Sequence, residues 1–585
     1  MKSRNQTLDI FKGIAIIAVI LYHANLFTYG YLGVEIFLVV GGYLITKSIL
    51  RAYENGQFNY WNYLCNRLVR LWPLALLLSV LALIGGYFTM LPDAYKNTCE
   101  TAVGTSTFTN NFVQYITAGD YWDTANEYKP LMHTWYLGVI FQFYVLYPFV
   151  FMLCHRFSRH FVKASILTLS VIFLVSLALF VLPLFDTAYT FYLLPARLFE
   201  FAAGGIVALT SIERSFERFK QTIIPVFFFL VVILLFVNDS YDVAKVRLLL
   251  TVAVSVLLVI YSEYQSSEES ESKWVRWFSV FVPFGMASYS LYLWHQFVLA
   301  FYRYVFNDDF TVWSYILTLG LSLLIGYLSY RFIEKVISSY TKKGKKQTYI
   351  VLSFCLITLL CISYPSLKIY ARQGVVRDIP ELEVYLNDPK TYSPQEYNAR
   401  ISSLYDKDFP KNGKTNVLVV GDSYARDWMN VLLEGGVENA ANLSYHQDKD
   451  KTLVRRIRQA DVIFVANHGP IDIYIDYLPS MMKKKFYRVG DKFFGQKIGV
   501  VYNHPKDSIY YKQRVSCPKV AVNEDERIEY KGMYINMMDS IRNADGSISM
   551  FTSDKKLISH DGLHLTKAGA KLLEERMKPQ ELCFH

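Results

Sequence analysis

The sequence predicts a polytopic α-helical membrane bundle of about eleven spans followed by a smaller extracytoplasmic α/β domain. Hydrophobic residues make up 53% of the 585 and aromatics 16%, more apolar than a soluble chain of this length. Apolar runs long enough to cross a bilayer recur through the first two thirds, and charge gathers in the loops and the C-terminal third. The net charge of +10 sits beside apolar segments and forms no basic stripe with interleaved aromatics. That pattern points to membrane lipid and not to nucleic acid as the partner.

Taken in order, the spans fall near 10–27, 31–50, 71–90, 131–153, 161–185, 190–209, 223–237, 246–261, 281–301, 313–332 and 349–365. The run from Ile10 lacks a small-residue cleavage site and is followed by further spans, so the first helix is expected to stay. With the N-terminus inside, the cytoplasmic loops carry Arg51, Arg67, Arg70, Arg156, Arg159, Lys163, Arg214, Arg218, Lys220, Lys273, Arg276, Arg331, Lys335, Lys342, Lys343, Lys345 and Lys346. The opposite loops carry only Lys96, Lys129, Lys245, Arg247 and Arg303. This asymmetry favours an inside start, and an odd span count then leaves the C-terminal block outside. A polar stretch after Tyr364 reads as a linker to about Lys414, and no internal repeat is evident. The expected division is 1–340, a membrane domain of about ten spans; 341–414, a further span and linker; and 415–585, the α/β domain.

The seven cysteines show no CxxC pair and no metal-ligand spacing, so neither a zinc site nor a dense disulfide framework is expected. Cys517 and Cys583 both fall in the C-terminal block and are a candidate pair in an oxidising compartment.

Ionisable groups within spans are costly and point to function. Lys12 and His23 are eleven helical steps apart; at ~100° per step they share one helix face, about 16 Å apart along the axis. Glu35 in the second span is a candidate partner able to orient His23. Arg67 and Arg70, at i and i+3, suit phosphate binding at the cytoplasmic boundary. The plainer alternatives are a snorkelling Lys12, a packing His23 and topology-setting arginines. His133, Arg197, Glu200 and His295 also lie in or against apolar runs, with Arg197 and Glu200 spaced to pair.

In the C-terminal block, Asn416–Val420 is a short apolar run suited to a buried parallel strand, and Gly421-Asp422-Ser423 follows where it turns into a helix. Ser423 is thereby presented at the sheet's carboxyl edge near a helix N-terminus. A second strand, Val462–Ala466, delivers Asn467 at its end. Asp561-Gly562-Leu563-His564 precedes a helix from about Lys567, a spacing that lets Asp561 orient His564 while His564 deprotonates Ser423. His468, His504 and His560 read as surface or loop histidines.

These motifs resemble two known families. Leu8 to His23, Gly33-Val34-Glu35-Ile36-Phe37, Gly42-Tyr43-Leu44-Ile45, Arg67-x-x-Arg70, His133-Thr134-Trp135, Gln142-Phe143-Tyr144, Arg197-x-x-Glu200, Ser288 to His295 and Arg331 to Lys335 follow in the order of the membrane acyltransferase-3 family. The resemblance implies acyl transfer from cytoplasmic acetyl-CoA to a carbohydrate across a bacterial membrane. Lys12, Arg67 and Arg70 would engage the CoA phosphates, and His23 would be the essential residue with Glu35 close by. Where many members have glutamates before the Gln-Phe-Tyr, this chain has Ile140 and Phe141.

The set Ser423, Asn467, Asp561 and His564 resembles the SGNH hydrolase/esterase family, which implies an α/β/α fold and an Asn467 side-chain amide donating to the oxyanion beside the Ser423 amide. The usual oxyanion glycine is missing from Asn442-Leu443-Ser444-Tyr445, about where it should lie. Fusions of the two families resemble bacterial O-acetyltransferases of O-antigen lipopolysaccharide, exopolysaccharide or peptidoglycan. The expectation is an inner-membrane, multi-pass enzyme taking acyl-CoA and a lipid-linked or surface glycan acceptor, with no metal. The alternatives are an appended acetyl-esterase beside a direct membrane transferase, or a transporter with a binding module.

Overall fold

The computed structural model describes residues 5–117, 126–210, 241–265, 273–306, 310–388, 391–469, 471–495, 498–516 and 524–584. The chain divides into two compact units, one of Met1–Gly85, Thr98–Tyr302 and Asp309–Ser366, the other of Gly86–Asn97, Arg303–Asp308 and Leu367–His585.

The first unit is a helical bundle. Its principal helices are α1 (Gln6–His23), α2 (Gly33–Glu54), α3 (Tyr60–Thr89), α4 (Pro92–Ser106), α5 (Asn110–Thr117), α6 (Trp135–Phe157), α7 (Phe161–Val181), α8 (Leu198–Leu209), α9 (Tyr241–Gln265), α10 (Ser288–Val305), α11 (Val312–Ser329) and α12 (Lys345–Ala371), of which the start of α4 to Asn97 and the last residues of α3, α10 and α12 count with the second unit. Among the described residues, eight helices are long and apolar enough to cross a membrane. Their polarity is inverted relative to a soluble domain. Leu167, Leu174, Trp313, Phe354, Ile357 and Leu360 are exposed, whereas Glu35, Arg197, Glu200, His133 and His295 are buried. Apolar surface outward and paired ionisable groups inward is the arrangement a hydrocarbon solvent selects.

The sixth predicted span, 190–209, is a broken segment: Pro195, which donates no backbone N–H, stands in a short 3-10 turn over Leu194–Ala196, and the helix proper is α8. The 281–301 span is likewise divided, Val282–Met286 then α10. The 223–237 span lies outside the described residues. Gly42 of α2 and Gly204 of α8 lock the two helices together: a Cβ on the first would strike the Phe201 carbonyl, and one on the second the Val39 carbonyl. After α11 the helix widens to a π turn over Tyr330–Glu334, a feature frequent at functional sites.

The second unit is built on a five-stranded parallel sheet. Its strands are β1 (Thr415–Val420), β2 (Ala441–His446), β3 (Val462–Ala466), β4 (Lys485–Val489) and β6 (Tyr534–Ile535), in the order β2-β1-β3-β4-β6, while β5 (Arg514–Ser516) pairs antiparallel with β7 (Ser547–Ser549). Val417 to Val420 and Ile463 to Val465 are wholly buried, which explains their unbroken apolar run: a parallel strand covered on both faces has no polar side. Helices α13 (Pro394–Tyr405), α14 (Ser423–Glu434), α15 (Lys451–Gln459) and α16 (Lys567–Met577) accompany the sheet. The stretch read as a linker is built into this unit, with Ile379, Leu382, Val384, Tyr397 and Ile401 buried. Because β1 continues to β2 on one side and β3 joins on the other, the strand order reverses at the carboxyl end of β1. Ligands of open α/β sheets bind at such crevices.

Candidate functional site

In the first unit, His23 is the last residue of α1, with Nδ1 3.0 Å from the Val19 carbonyl and 3.3 Å from His295 Nε2. The rings of His23 and His295 meet edge to face at 4.9 Å, and His133 follows at 5.1 Å from His295. His133 Nε2 lies 3.1 Å from the Leu293 carbonyl, and the Tyr292 hydroxyl donates to the His133 carbonyl. Three imidazoles drawn from three helical segments therefore line up inside the bundle. Only His23 had been singled out as reactive from the sequence.

Glu35, expected beside His23, is instead held by Arg197. Arg197 Nη1 stands 3.1 and 3.0 Å from the two Glu35 oxygens and 2.9 Å from Glu200 Oε1, all three residues being fully buried. The cause is electrostatic: an isolated buried guanidinium is far costlier than one that gathers two carboxylates.

The three cations assigned to CoA also part company. Lys12 pairs with Asp9 at 2.6 Å. Arg67 lies over the rings of Tyr63 and Tyr144 and reaches Ser48. Arg70 alone borders a cleft of about 1060 Å³, together with Arg331, Lys335, Lys342 and Lys343. Glu334, in the π turn, accepts from Ser290 and lies 4.0 Å from Arg70. Ile140 is buried, and Phe141 stacks on Phe108 at 4.3 Å, so an apolar contact occupies the place of the missing glutamates.

In the second unit, β1 is followed by Gly421, whose φ of +139° and closeness to the Ala466 carbonyl exclude a side chain. Asp422 caps α14 through the Tyr424 amide and, through its other oxygen, accepts from the His468 amide, tying the turns after β1 and β3 together. Ser423 is then the first residue of α14. Its Oγ lies 2.9 Å from His564 Nε2, and His564 Nδ1 lies 2.5 Å from Asp561 Oδ2. Asp561 Oδ1 accepts from the amides of Leu563 and His564. Burial opposes ionisation of Asp561, yet the charges of His560 and His564 and the hydrogen bonds from the His564 ring and amide hold its pKa well below the ordinary carboxylate range. A hydroxyl, an imidazole and a carboxylate are thus hydrogen-bonded in sequence, an arrangement chemically able to carry acyl transfer through serine.

Asn467 follows β3 as expected, but its Nδ2 faces the carbonyls of His468 and Gly469 at 3.3 and 3.1 Å, and its Oδ1 accepts from Arg488. To serve an oxyanion, the amide has to release one of those carbonyls. Asn442 to Tyr445 lie on β2, a buried strand, so that segment does not supply the loop in which an oxyanion glycine was sought.

Several residues were missed. Arg488, buried on β4, binds Glu526 at 2.7 Å and donates to the Gly469 carbonyl, fixing the Asn467 loop. Asp427 and Lys492 form a wholly buried ion pair at 2.9 Å. Asp427 also accepts from the Leu565 amide and from Asn398, whose amide reaches the Ser423 carbonyl. His560, read as a surface or loop histidine, is buried beside Asp93 and Asp561. Its adjacency to Asp561 was the only signal in the sequence. His504 is half-buried and His468 is exposed, its amide donating to Asp422.

His560, Asp561 and His564 bring three metal-ligating side chains together. Asp561 and His564 are joined by the hydrogen bond described above, and His560 Nε2 stands 3.8 Å from Asp561 Oδ2. Cys583 is a buried free thiol whose pKa burial raises to about 12; Cys517, its candidate partner, lies outside the described residues.

Comparison with known proteins places the N-terminal part of the chain in a family. Residues 5–331 match the model of an acyltransferase domain, that of the acyltransferase-3 family. The O-acetyltransferase OatA of Staphylococcus aureus strain NCTC 8325 is 28% identical over 371 residues, covering 58% of this chain and 57% of that protein. A putative O-acetyltransferase of S. aureus strain COL, SACOL0978, is 28% identical over 363 residues, covering 58% of each. The chain thus spans a little over half the length of these curated relatives. No solved structure matches it. With more than half of its residues accounted for by one domain, the chain belongs to the acyltransferase-3 family.

Proposed function

We propose that the protein is a membrane O-acetyltransferase that takes an acetyl group from cytoplasmic acetyl-CoA and passes it to a hydroxyl of an extracytoplasmic glycan, with Ser423 as the acyl carrier. The observation that carries this reading is the Ser423–His564–Asp561 relay on a chain whose other part is an acyltransferase domain. The printed names of the relatives, O-acetyltransferases, support the reaction class.

The basic cleft around Arg70, Arg331, Lys335, Lys342 and Lys343 fits the phosphates of CoA by charge and by volume. His23, seated against His295, would remove or return the proton at the step within the membrane. At Ser423, His564 takes the hydroxyl proton as Oγ attacks the acyl carbon. The same imidazole returns that proton to the leaving group. It then deprotonates the glycan hydroxyl that attacks the acyl-serine and gives that proton to Ser423 Oγ as the ester bond breaks, which restores the serine hydroxyl. The amides at the start of α14 and the Asn467 side chain would hold the oxyanion. The basic residues of the predicted cytoplasmic loops support an inner-membrane, multi-pass protein with the α/β domain outside. On this reading the acceptor is a lipid-linked or surface polysaccharide.

The test uses the full chain in proteoliposomes with radiolabelled acetyl-CoA and a glycan acceptor. Label on the glycan that is lost in both Ser423→Ala and His23→Ala is expected. Full activity in both variants would sink the proposal. The Ser423 relay equally suits an acetyl-esterase, and release of free acetate in excess of transfer would favour that second reading.

A further inference from the structure

Arg488 stands on β4, the neighbour of β3, and all three nitrogens of its guanidinium are engaged. Nε donates to Glu526 at 2.7 Å, Nη1 to the Val489 carbonyl at 2.8 Å and to Asn467 Oδ1 at 3.2 Å, and Nη2 to the Gly469 carbonyl at 2.8 Å. Arg488 and Asn467 are each 1% exposed, so water does not take over these bonds. A guanidinium carries donors and no acceptor, and the end of the Asn467 carboxamide that faces it has to be the oxygen. Nδ2 is thereby turned away from Arg488, toward the carbonyls of His468 and Gly469 at 3.3 and 3.1 Å. The Gly469 carbonyl thus has two donors, Arg488 Nη2 and Asn467 Nδ2. We propose that Arg488 is a positioning residue for the oxyanion formed at Ser423: it fixes which end of the Asn467 carboxamide donates, and it keeps the Gly469 carbonyl bonded when Asn467 Nδ2 leaves it for the oxyanion.

This rests on the reading of Ser423 as the acyl carrier and of Asn467 as an oxyanion donor. The two are brought near each other by the sheet: β3 pairs with β1, and Asp422, next to Ser423, accepts from the His468 amide. The turn that carries Asn467 is fastened from other sides as well. Asp491 accepts from the Gly469 amide at 3.3 Å, and Glu526, which holds Arg488, also accepts from the Ile471 amide at 2.8 Å. The backbone can therefore stay in place while the carboxamide moves. Without Arg488 the carboxamide is free to turn over and offer its oxygen to the oxyanion, and a departing Nδ2 leaves the Gly469 carbonyl without a donor. Lysine does not replace it, because a single ammonium lacks the fork that reaches Glu526, Asn467 and Gly469 together.

The experiment is a double-variant cycle in the full-length, membrane-embedded chain, read as the rate constant with which a fluorophosphonate probe labels Ser423. Attack of Oγ on phosphorus forms the P–O bond, expels fluoride and builds negative charge on the phosphoryl oxygen, so the rate reports oxyanion stabilisation with neither acyl donor nor acceptor present. The constant is taken from the approach to the labelled end point and does not depend on how much of each chain folds. Asn467→Ala is expected to slow labelling about 10²–10³-fold. Arg488→Lys is expected to slow it at least about tenfold when Asn467 is present and less than about twofold in the Asn467→Ala chain, which has no carboxamide to hold. Arg488→Met with Glu526→Gln, which strands no charge and keeps an acceptor for the Ile471 amide, should give the same pattern. Equal slowing by the Arg488 changes with and without Asn467, or slowing in neither, overturns the proposal. Asn467→Ala labelled as fast as wild type would discard the oxyanion reading beneath it, and Ser423→Ala labelled at that rate would discard the acyl-carrier reading.

Discussion

Arg197 places one guanidinium nitrogen within 3.1 Å of both oxygens of Glu35 and 2.9 Å of Glu200. A lone cation shared by two buried carboxylates means the three residues stand or fall together, because removing Arg197 strands two anions away from water. Arg197→Met is expected to destabilise the bundle by about 3–5 kcal/mol. Melting of the detergent-solubilised protein, followed by size-exclusion chromatography, measures this. Glu200→Gln, which leaves one full ion pair, should cost clearly less, and equal melting of the two variants would contradict the shared-cation account.

His295 is the imidazole in contact with His23, and it carries a comparable expectation for activity. If the two rings pass one proton, His295→Phe preserves volume but removes the nitrogen facing His23 at 3.3 Å. Acetyl transfer should fall by about 10²–10⁴-fold, close to the loss in His23→Ala, and the double variant should be little worse than either. Near-complete activity in His295→Phe, with normal folding, would assign the contact to packing.

The contrast between Glu35 and Ser423 shows what the sequence carries. Ser423, Asp561 and His564 were legible because each is fixed by its own neighbours: a strand end, a glycine that no side chain can replace, and a three-residue turn in which Asp561 caps the amides of Leu563 and His564. Strands β1 and β3 were legible because burial on both faces forces an unbroken apolar run, whereas β2 (Ala441–His446) and β4 (Lys485–Val489) carry polar residues in the sheet and show no such run. The partner of Glu35 was not legible, since nearness along the chain suggested His23 while desolvation favoured the distant Arg197. His560 looked like a loop residue for the same reason, its partner Asp93 lying far away along the chain. The broken span at Pro195 was lost within an apolar window that averages over a kink.

Gly421 offers a test confined to the second unit. Its φ of +139° and the approach of the Ala466 carbonyl leave no space for a methyl group. Gly421→Ala should therefore displace the turn that carries Asp422 and Ser423, at a strain of about 1–3 kcal/mol. Probe labelling of Ser423 should drop by at least tenfold while acyl-CoA binding to the membrane part is retained. Wild-type labelling in this variant would show that the elbow tolerates a Cβ.

The pH dependence of stability follows from two groups of opposite sign. The pKa of Asp561 is depressed on folding, so its contribution is present above the unfolded value near pH 4 and is lost as pH falls below it. The pKa of His560 is raised to about 9, so its contribution is complete below its unfolded value of about 6.5 and is lost as pH climbs through 9. Thermal melts of the full chain should show the α/β unit most stable between about pH 4 and 6.5. His560→Gln should flatten the alkaline decline and, because the His560 charge also helps hold Asp561 ionised, soften the acid one; an unchanged alkaline slope would remove His560 as its source.

The buried pair Asp427–Lys492 separates stability from catalysis. Both side chains are wholly buried, and Lys492 also lies over the Tyr424 ring. Lys492→Met leaves an uncompensated carboxylate and should destabilise the unit by about 3–5 kcal/mol, whereas Asp427→Leu with Lys492→Met replaces both charges by apolar volume and should recover most of that loss. Activity should not recover with it. Asp427 also accepts from the Leu565 amide, next to His564, and from Asn398, which holds the Ser423 carbonyl. The double variant loses both braces, so Ser423 labelling should remain at least tenfold below wild type in a protein that melts near the wild-type temperature. Recovery of both together would mean that the pair serves folding alone.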